Sequence, residues 1–159
     1  MPTERPRIRS KVTALLIFNQ TQPLNDIEAA LEKLAIPTSR AHTLAEASHA
    51  LSKADPPLLA FTESSLPDGN WSDVLSLSER ASSPVSVIVV GRGIDTRLYA
   101  SAIEIGAFDF IAPPFDTIDL AHVVRCAADN ALTRRGSAKD LRPADEKLLP
   151  SVMKSRGNA

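Results

Sequence analysis

The sequence predicts an open α/β fold, a doubly wound sheet of five parallel strands with helices on both faces. Three observations predict it. Short apolar runs alternate with segments of helical periodicity along most of the chain. The clearest runs lack a polar side, as strands buried on both faces require. Proline or glycine stands at most of the junctions between segments.

Val12 to Phe18 (VTALLIF) is a continuous apolar run closed by Asn19 and Gln20, suited to a fully buried strand. PLNDIEAALEKLAI follows, with Leu24, Ile27, Ala30, Leu31 and Leu34 at helical spacing. Pro37 stops that helix and leads to a short strand around Thr38 to Ala41. Thr43 opens TLAEASHALSK, with Glu46 three residues on. That is a capping-box pattern, in which hydroxyl and carboxylate each accept an unpaired backbone N–H. Pro56 and Pro57 end the second helix, and Leu58 to Thr62 (LLAFT) is the third strand. Leu66, Pro67, Asp68 and Gly69 carry strong turn chemistry. Trp71 to Arg80 reads as a serine-rich third helix. Ser86 to Val90 (SVIVV) is the clearest strand, broken by Gly91 and Gly93. Arg97 to Ile105 is the fourth helix, with Gly106 just past its end, where a positive φ is needed. Ala107 to Ile111 is the fifth strand, followed by Pro113 and Pro114. Asp116 or Thr117 caps the last long helix, with Leu120, Val123, Val124, Ala127, Ala131 and Leu132 on one face. After Gly136 the pattern fades into a polar basic tail expected to be disordered, with one short helical patch at Leu148, Leu149, Val152 and Met153. The expected layout is a disordered basic arm (1–11), one domain (12–135) and the tail (136–159).

The 159 residues are 43% hydrophobic and 23% charged, enough apolar material for a core without staples. One cysteine rules out an intramolecular disulfide and a cysteine-based zinc site. Aromatic residues at 4% argue against a base-stacking surface. No apolar run approaches a membrane span, and the N-terminus lacks a secretory apolar stretch, so a cytoplasmic protein is expected. The net charge of −1 divides into two basic ends and an acidic body. The ends read as solvated arms, and a nucleic-acid partner, whose binding would weaken steeply with salt, is the alternative.

In open α/β sheets the functional crevice lies outside the carboxyl ends of the strands. The residues there are Asn19 and Gln20, Glu63, Gly91 and Arg92, and Pro113. The segments LLAFTESSLPDG, SVIVVGR and IEIGAFDFIAPPF resemble the receiver domain of bacterial two-component response regulators, a flavodoxin-like fold, from about Thr13 to Arg135. The resemblance implies roles by position. Asn19 and Gln20 stand where the family has an acidic pair that holds magnesium. Glu63 stands at the phosphoacceptor aspartate, Gly91 at the switch hydroxyl, Phe110 at the switch aromatic and Pro113 at the lysine. It also implies a cis bond before Pro114. The output face is expected on the fourth helix, fifth strand and fifth helix, with Tyr99, Ala100, Ile103, His122 and Arg125 as contacts.

The substitutions remove the chemistry. Magnesium is a hard cation that wants carboxylate oxygens. Phosphoryl transfer depends on positioning and on offsetting developing charge. Glu63 reads either as a mimic of aspartyl phosphate or as a solvated carboxylate beside Arg92. The second is preferred, because one charge without differential contacts cannot bias two states. His42, His49 and His122 are read as isolated, Cys126 as a packing residue, and Trp71 as a lid or core contact. No metal, cofactor or catalytic residue is expected. The function expected is a phosphorylation-independent protein-interaction module in signalling or transcriptional regulation, acting through a protein partner or a homodimer. The alternatives are a conventional regulator phosphorylated by a histidine kinase and a nucleic-acid-associated protein.

Overall fold

A computed structural model describes residues 12–19, 21–93 and 95–156. The elements in chain order are β1 (Ala14–Ile17), α1 (Thr21–Lys33), β2 (Thr38–Ala41), α2 (Leu44–Leu51), β3 (Leu59–Glu63), β4 (Ser65–Leu66), β5 (Gly69–Asn70), α3 (Trp71–Glu79), β6 (Ser86–Val90), α4 (Thr96–Ile105), β7 (Asp109–Ile111) and α5 (Thr117–Arg156). Five strands pair in parallel in the order β2-β1-β3-β6-β7. Register places Ile17 beside Thr62, Glu63 beside Val90, and Val90 beside Ile111. The strands therefore end along one edge, and the residues that follow them share one rim.

Alternation along each strand feeds two cores. Ala14, Leu16, Phe61, Ile88 and Val90 face Leu24, Ile27, Leu120, Val124 and Ala127 of α1 and α5. Leu15, Ile17, Ala60, Val87 and Val89 face Ala47, Val74, Leu75 and Ala102 of α2, α3 and α4. This is the doubly wound arrangement expected. Each fully buried leucine, isoleucine or phenylalanine stabilises the fold by about 1.5–3 kcal/mol.

The helix ends follow their local chemistry. The Asn70 side chain accepts from Ser72 and Asp73 N–H, and Asp73 accepts from Asn70 N–H, a complete capping box. Asp95 caps α4 through Leu98 N–H, and Asp116 caps α5 through Ile118 N–H at 2.8 Å. Gly106 closes α4 at φ 126°, a conformation side chains disfavour. The Pro113–Pro114 bond is cis, as expected. At α2, Thr43 accepts from Glu46 N–H, but Glu46 accepts from His42 N–H instead of Thr43 N–H.

Three features differ from expectation. The turn at Leu66 to Gly69 is a small antiparallel ladder, pairing Ser65 with Asn70. The fifth strand is shorter, starting at Asp109. The last helix runs 40 residues, so helical backbone continues past Gly136 where a disordered tail is expected. The domain end of α5 is tied to the opposite edge of the sheet. Arg135 donates to the carbonyls of Pro84, Pro56 and Pro57 at 2.8, 3.1 and 3.1 Å, and buried Ser86 donates to Ala127 O at 2.9 Å. No helix among the described residues is long and apolar enough to cross a membrane.

Asp68 joins two parts of the sheet rim. Its carboxylate accepts from Leu44 N–H at 2.7 Å and Ala45 N–H at 3.1 Å, satisfying the first turn of α2 from a different loop. The Leu44 N–H first, and the Ala45 N–H after it, hold the carboxyl below its ordinary 3.8 against the opposing pull of burial. A carboxyl depressed in the folded state adds stability above its unfolded pKa and loses it as pH falls through the folded value. Asp68→Asn is therefore expected to lower the thermal midpoint at neutral pH. The gap from wild type should shrink as the pH is taken below 3.8, a trend that a calorimetric pH series reads directly.

Candidate functional site

The rim is built by strands that run out of apolar residues. Asn19 lies exposed just past β1. Gln20 lies outside the described residues. Thr62 is fully buried and its hydroxyl donates to Glu63 O at 2.9 Å, so the chain turns outward only at Glu63, which is half-buried. A cavity of about 310 Å³ opens there, lined by Pro23, Glu63, Ser64, Ser65, Val90, Gly91 and Arg92. Among the described residues, Glu63 and Arg92 are its charged lining residues. Pro113 follows β7 and brings neither charge nor N–H.

The magnesium ion that the resemblance implies does not fit this donor set. Among the described residues no group of three or more His, Cys, Asp and Glu could hold a metal ion. One carboxylate and hydroxyls form a weak cage for a hard dication. Among the described lining residues the cation is Arg92, and no lysine stands there.

The wall of the cavity at Gly91 has its own constraint. Gly91 N–H donates to Ile111 O at 2.8 Å, which locks its backbone to β7. A Cβ at Gly91 would lie 2.5 Å from Phe110 Cζ and 3.0 Å from Cε2. Real Cβ atoms do not come that close, so the Phe110 ring fills the space a side chain at 91 would need. Phe110 is only 9% exposed and meets Tyr99 edge-on, with ring centroids 6.0 Å apart. Glu63, Gly91, Phe110 and Tyr99 thus form one continuous path from the cavity to the surface of α4.

The remaining candidates separate. Tyr99 and Ile103 are exposed on α4. His122 is exposed on α5, but it is not isolated, because Cys126 Sγ lies 3.6 Å from its Nε2. Cys126 is exposed, which corrects its reading as a packing residue. The buried stripe of α5 is Leu120, Val124, Ala127, Ala128 and Ala131, and Cys126 falls to one side of it. Arg125 is exposed on α5. It borders a separate groove of about 440 Å³ with Val12, Leu34, Ile36, Ala121, Val124 and Ala128, on the α1 side of the helix. One residue is 100° of helix rotation, so neighbours in sequence serve different faces. His42 Nδ1 lies 3.1 Å from Phe18 O and ties the end of β2 to the end of β1. Trp71 is half-buried against the core of Leu15 and Val74, a core contact outside the cavity lining. Sequence reasoning missed the role of Asp68 and the His122–Cys126 pair, although the spacing of four residues in a predicted helix signals the latter.

The Gly91–Phe110 contact sets a stability test. Gly91→Ala is expected to cost about 1–3 kcal/mol through overpacking. Phe110→Leu, which shortens the ring's reach, should remove most of that penalty in the double variant. Urea unfolding of the full cycle measures the coupling, and additive costs would show that the ring does not exclude a side chain there.

No protein-family profile matches the chain. It is 28% identical over 142 residues to the response regulator protein PilR of Pseudomonas aeruginosa, covering 88% of this chain and 30% of PilR. It is 32% identical over 113 residues to the photosynthetic apparatus regulatory protein RegA of Cereibacter sphaeroides, covering 70% of this chain and 60% of RegA. The chain spans less than two thirds of either relative's length. The solution structure of the beryllofluoride-activated NtrC4 receiver domain dimer matches with a TM-score of 0.66 at 21% identity, over 75% of this chain and 98% of that one. With the β2-β1-β3-β6-β7 sheet order and the rim at Glu63 already in place, these likenesses establish that the chain belongs to the response regulator receiver domain family of two-component signalling.

Proposed function

We propose that this receiver domain works without phosphorylation, as a protein-interaction module in bacterial signal transduction or transcriptional regulation, and that it is not an enzyme. The observation that carries the reading is the occupied wall at Gly91. A Cβ at Gly91, where the resemblance puts the family's hydroxyl, would meet the tip of the Phe110 ring. Among the described residues the cavity beside it is lined by one carboxylate, Glu63, and one cation, Arg92, with no lysine. A phosphoryl group there would have Arg92 as the described cation to offset its charge and no carboxylate pair to hold a metal, whereas its transfer requires positioning plus electrostatic stabilisation.

A domain of this kind signals by what it touches. The partner, another protein or a second copy, is placed on α4, β7 and α5, where Tyr99 and Ile103 leave 48% and 39% of their surface to solvent. Isologous pairs are the commonest oligomers, and the NtrC4 receiver is a dimer. Because Phe110 is packed against Tyr99, the shape of this face follows from the ring's position at Gly91 and not from an added group. The cytoplasm is the compartment this role implies, and neither nucleic acid nor membrane is needed for it.

Incubation of the full chain with acetyl phosphate and magnesium, followed by intact-mass spectrometry, is expected to leave the mass unchanged. Glu63→Gln should behave identically and capture the same protein partners. A phosphoryl adduct lost in Glu63→Gln would instead establish the conventional phosphorelay reading.

A further inference from the structure

We propose that the apolar groove between α1 and α5 is a docking site for this chain's own residues 1–11, with Ile8 as the anchor. The groove, of about 440 Å³, is bounded by Leu34 and Ile36 just past α1, by Ala121, Val124 and Ala128 on α5, and by Val12. Ala121, Val124 and Ala128 are three and four residues apart and so form one stripe of the helix. The two alanines are short, which leaves depth on either side of Val124. Val12, Leu34 and Ile36 pack against the core and are each half-buried, so apolar surface remains open along the groove.

The chain itself delivers the occupant. Thr13 O accepts from Leu58 N–H and Leu59 N–H at 3.1 Å each, and Ala14 N–H donates to Pro37 O at 3.0 Å. These bonds fix the backbone, and Val12, the next residue back, is part of the groove lining. Residues 1–11 therefore join the domain at the groove. The first large aliphatic residue back from Val12 is Ile8. Four residues of extended chain reach about 13 Å, and Ala121 to Ala128 spans about 10 Å of helix axis. Alternate residues of an extended chain share a face, which puts Ile8 on the side of Val12 and Arg7, Arg9 and Lys11 on the other. That register keeps the basic side chains off Arg125, the charged residue of the groove's described lining. Glu28 and Glu32 of α1 line a neighbouring hollow that shares Ile36 with the groove, so carboxylates stand nearby for the basic side. So short a tether gives the segment an effective concentration in roughly the millimolar range, and a modest apolar contact then suffices to fill the groove. Any other protein using this side of α5 would compete with residues 1–11. The inference depends neither on how Glu63 behaves nor on the α4 face.

The test is NMR on the full chain, labelled at its isoleucine, leucine, valine and alanine methyls. Nuclear Overhauser peaks are expected from the Ile8 methyls to those of Leu34, Val124 and Ala128. A mixture of labelled and unlabelled chains separates contacts within one chain from contacts between two, and the peaks are expected within one chain. Ile8→Ser leaves every core residue in place. It should lose these peaks and shift the methyls that line the groove, leaving those of the second core, such as Leu15 and Val87, where they were. Arg9→Ser, on the other side of the extended segment, should keep the peaks. Ile8 methyls without contacts to the groove overturn the proposal, as do groove methyls unmoved in Ile8→Ser. Loss of the peaks in Arg9→Ser overturns the register on which it stands. Peaks found only between labelled and unlabelled chains overturn it as well, because a second copy then fills the groove.

Discussion

A parallel sheet covered on both faces has room for polar chemistry only where its strands end. Leu15, Leu16 and Ile17 of β1 are fully buried, as are Ala60, Phe61 and Thr62 of β3 and Ile88 and Val89 of β6. Any charge placed among them would have to be desolvated without a partner, at a cost of several kcal/mol or more. The rim after Ile17, Thr62, Val90 and Ile111 is the first place where the chain can meet water and a ligand together. Which residues stand there decides what the fold can do, and the core leaves that choice open.

In this chain the rim is mostly neutral or apolar. Its one deep contact is steric: the Phe110 ring lies over Gly91, where a side chain would collide at 2.5 Å. With the ring where it stands, a side chain at 91 would require one of the two to shift. The ring in turn meets Tyr99 on α4, so the cavity and the exposed face share a single packing unit. A protein interior close-packed in this way transmits a shape and resists small displacements. The same ring that walls the cavity at Gly91 also packs against the exposed face of α4. The long helix α5 is held near Arg135 by contacts to the carbonyls of Pro84, Pro56 and Pro57.

The strands and helix ends were legible because they depend on local chemistry. SVIVV has no polar side, Gly106 sits where φ is positive, and Asp116 precedes an apolar stripe. The rim positions were legible through order along the chain and through the wording around LPDG and APPF. What was not legible depends on register and rotation. The Gly91–Phe110 collision exists because Val90 pairs with Ile111, a long-range register that no window of sequence contains. Asp68 reaches the start of α2, 24 residues earlier, through a turn whose closure is tertiary. Cys126 was misplaced by a fraction of a helical turn, since an apolar stripe can be drawn on a helix with that residue at its border. The continuation of α5 past Gly136 was hidden by breakers that reading from propensity weights heavily.

The central claim is that the rim at Glu63 cannot gather a cation and a phosphoryl group. Backbone amide NMR of the labelled chain, recorded before and after adding magnesium and beryllofluoride, tests it at the atoms concerned. The account predicts superimposable resonances for Glu63, Ser64, Gly91 and Phe110. A second, slowly exchanging set of peaks at those residues, carried through to Tyr99, would contradict it.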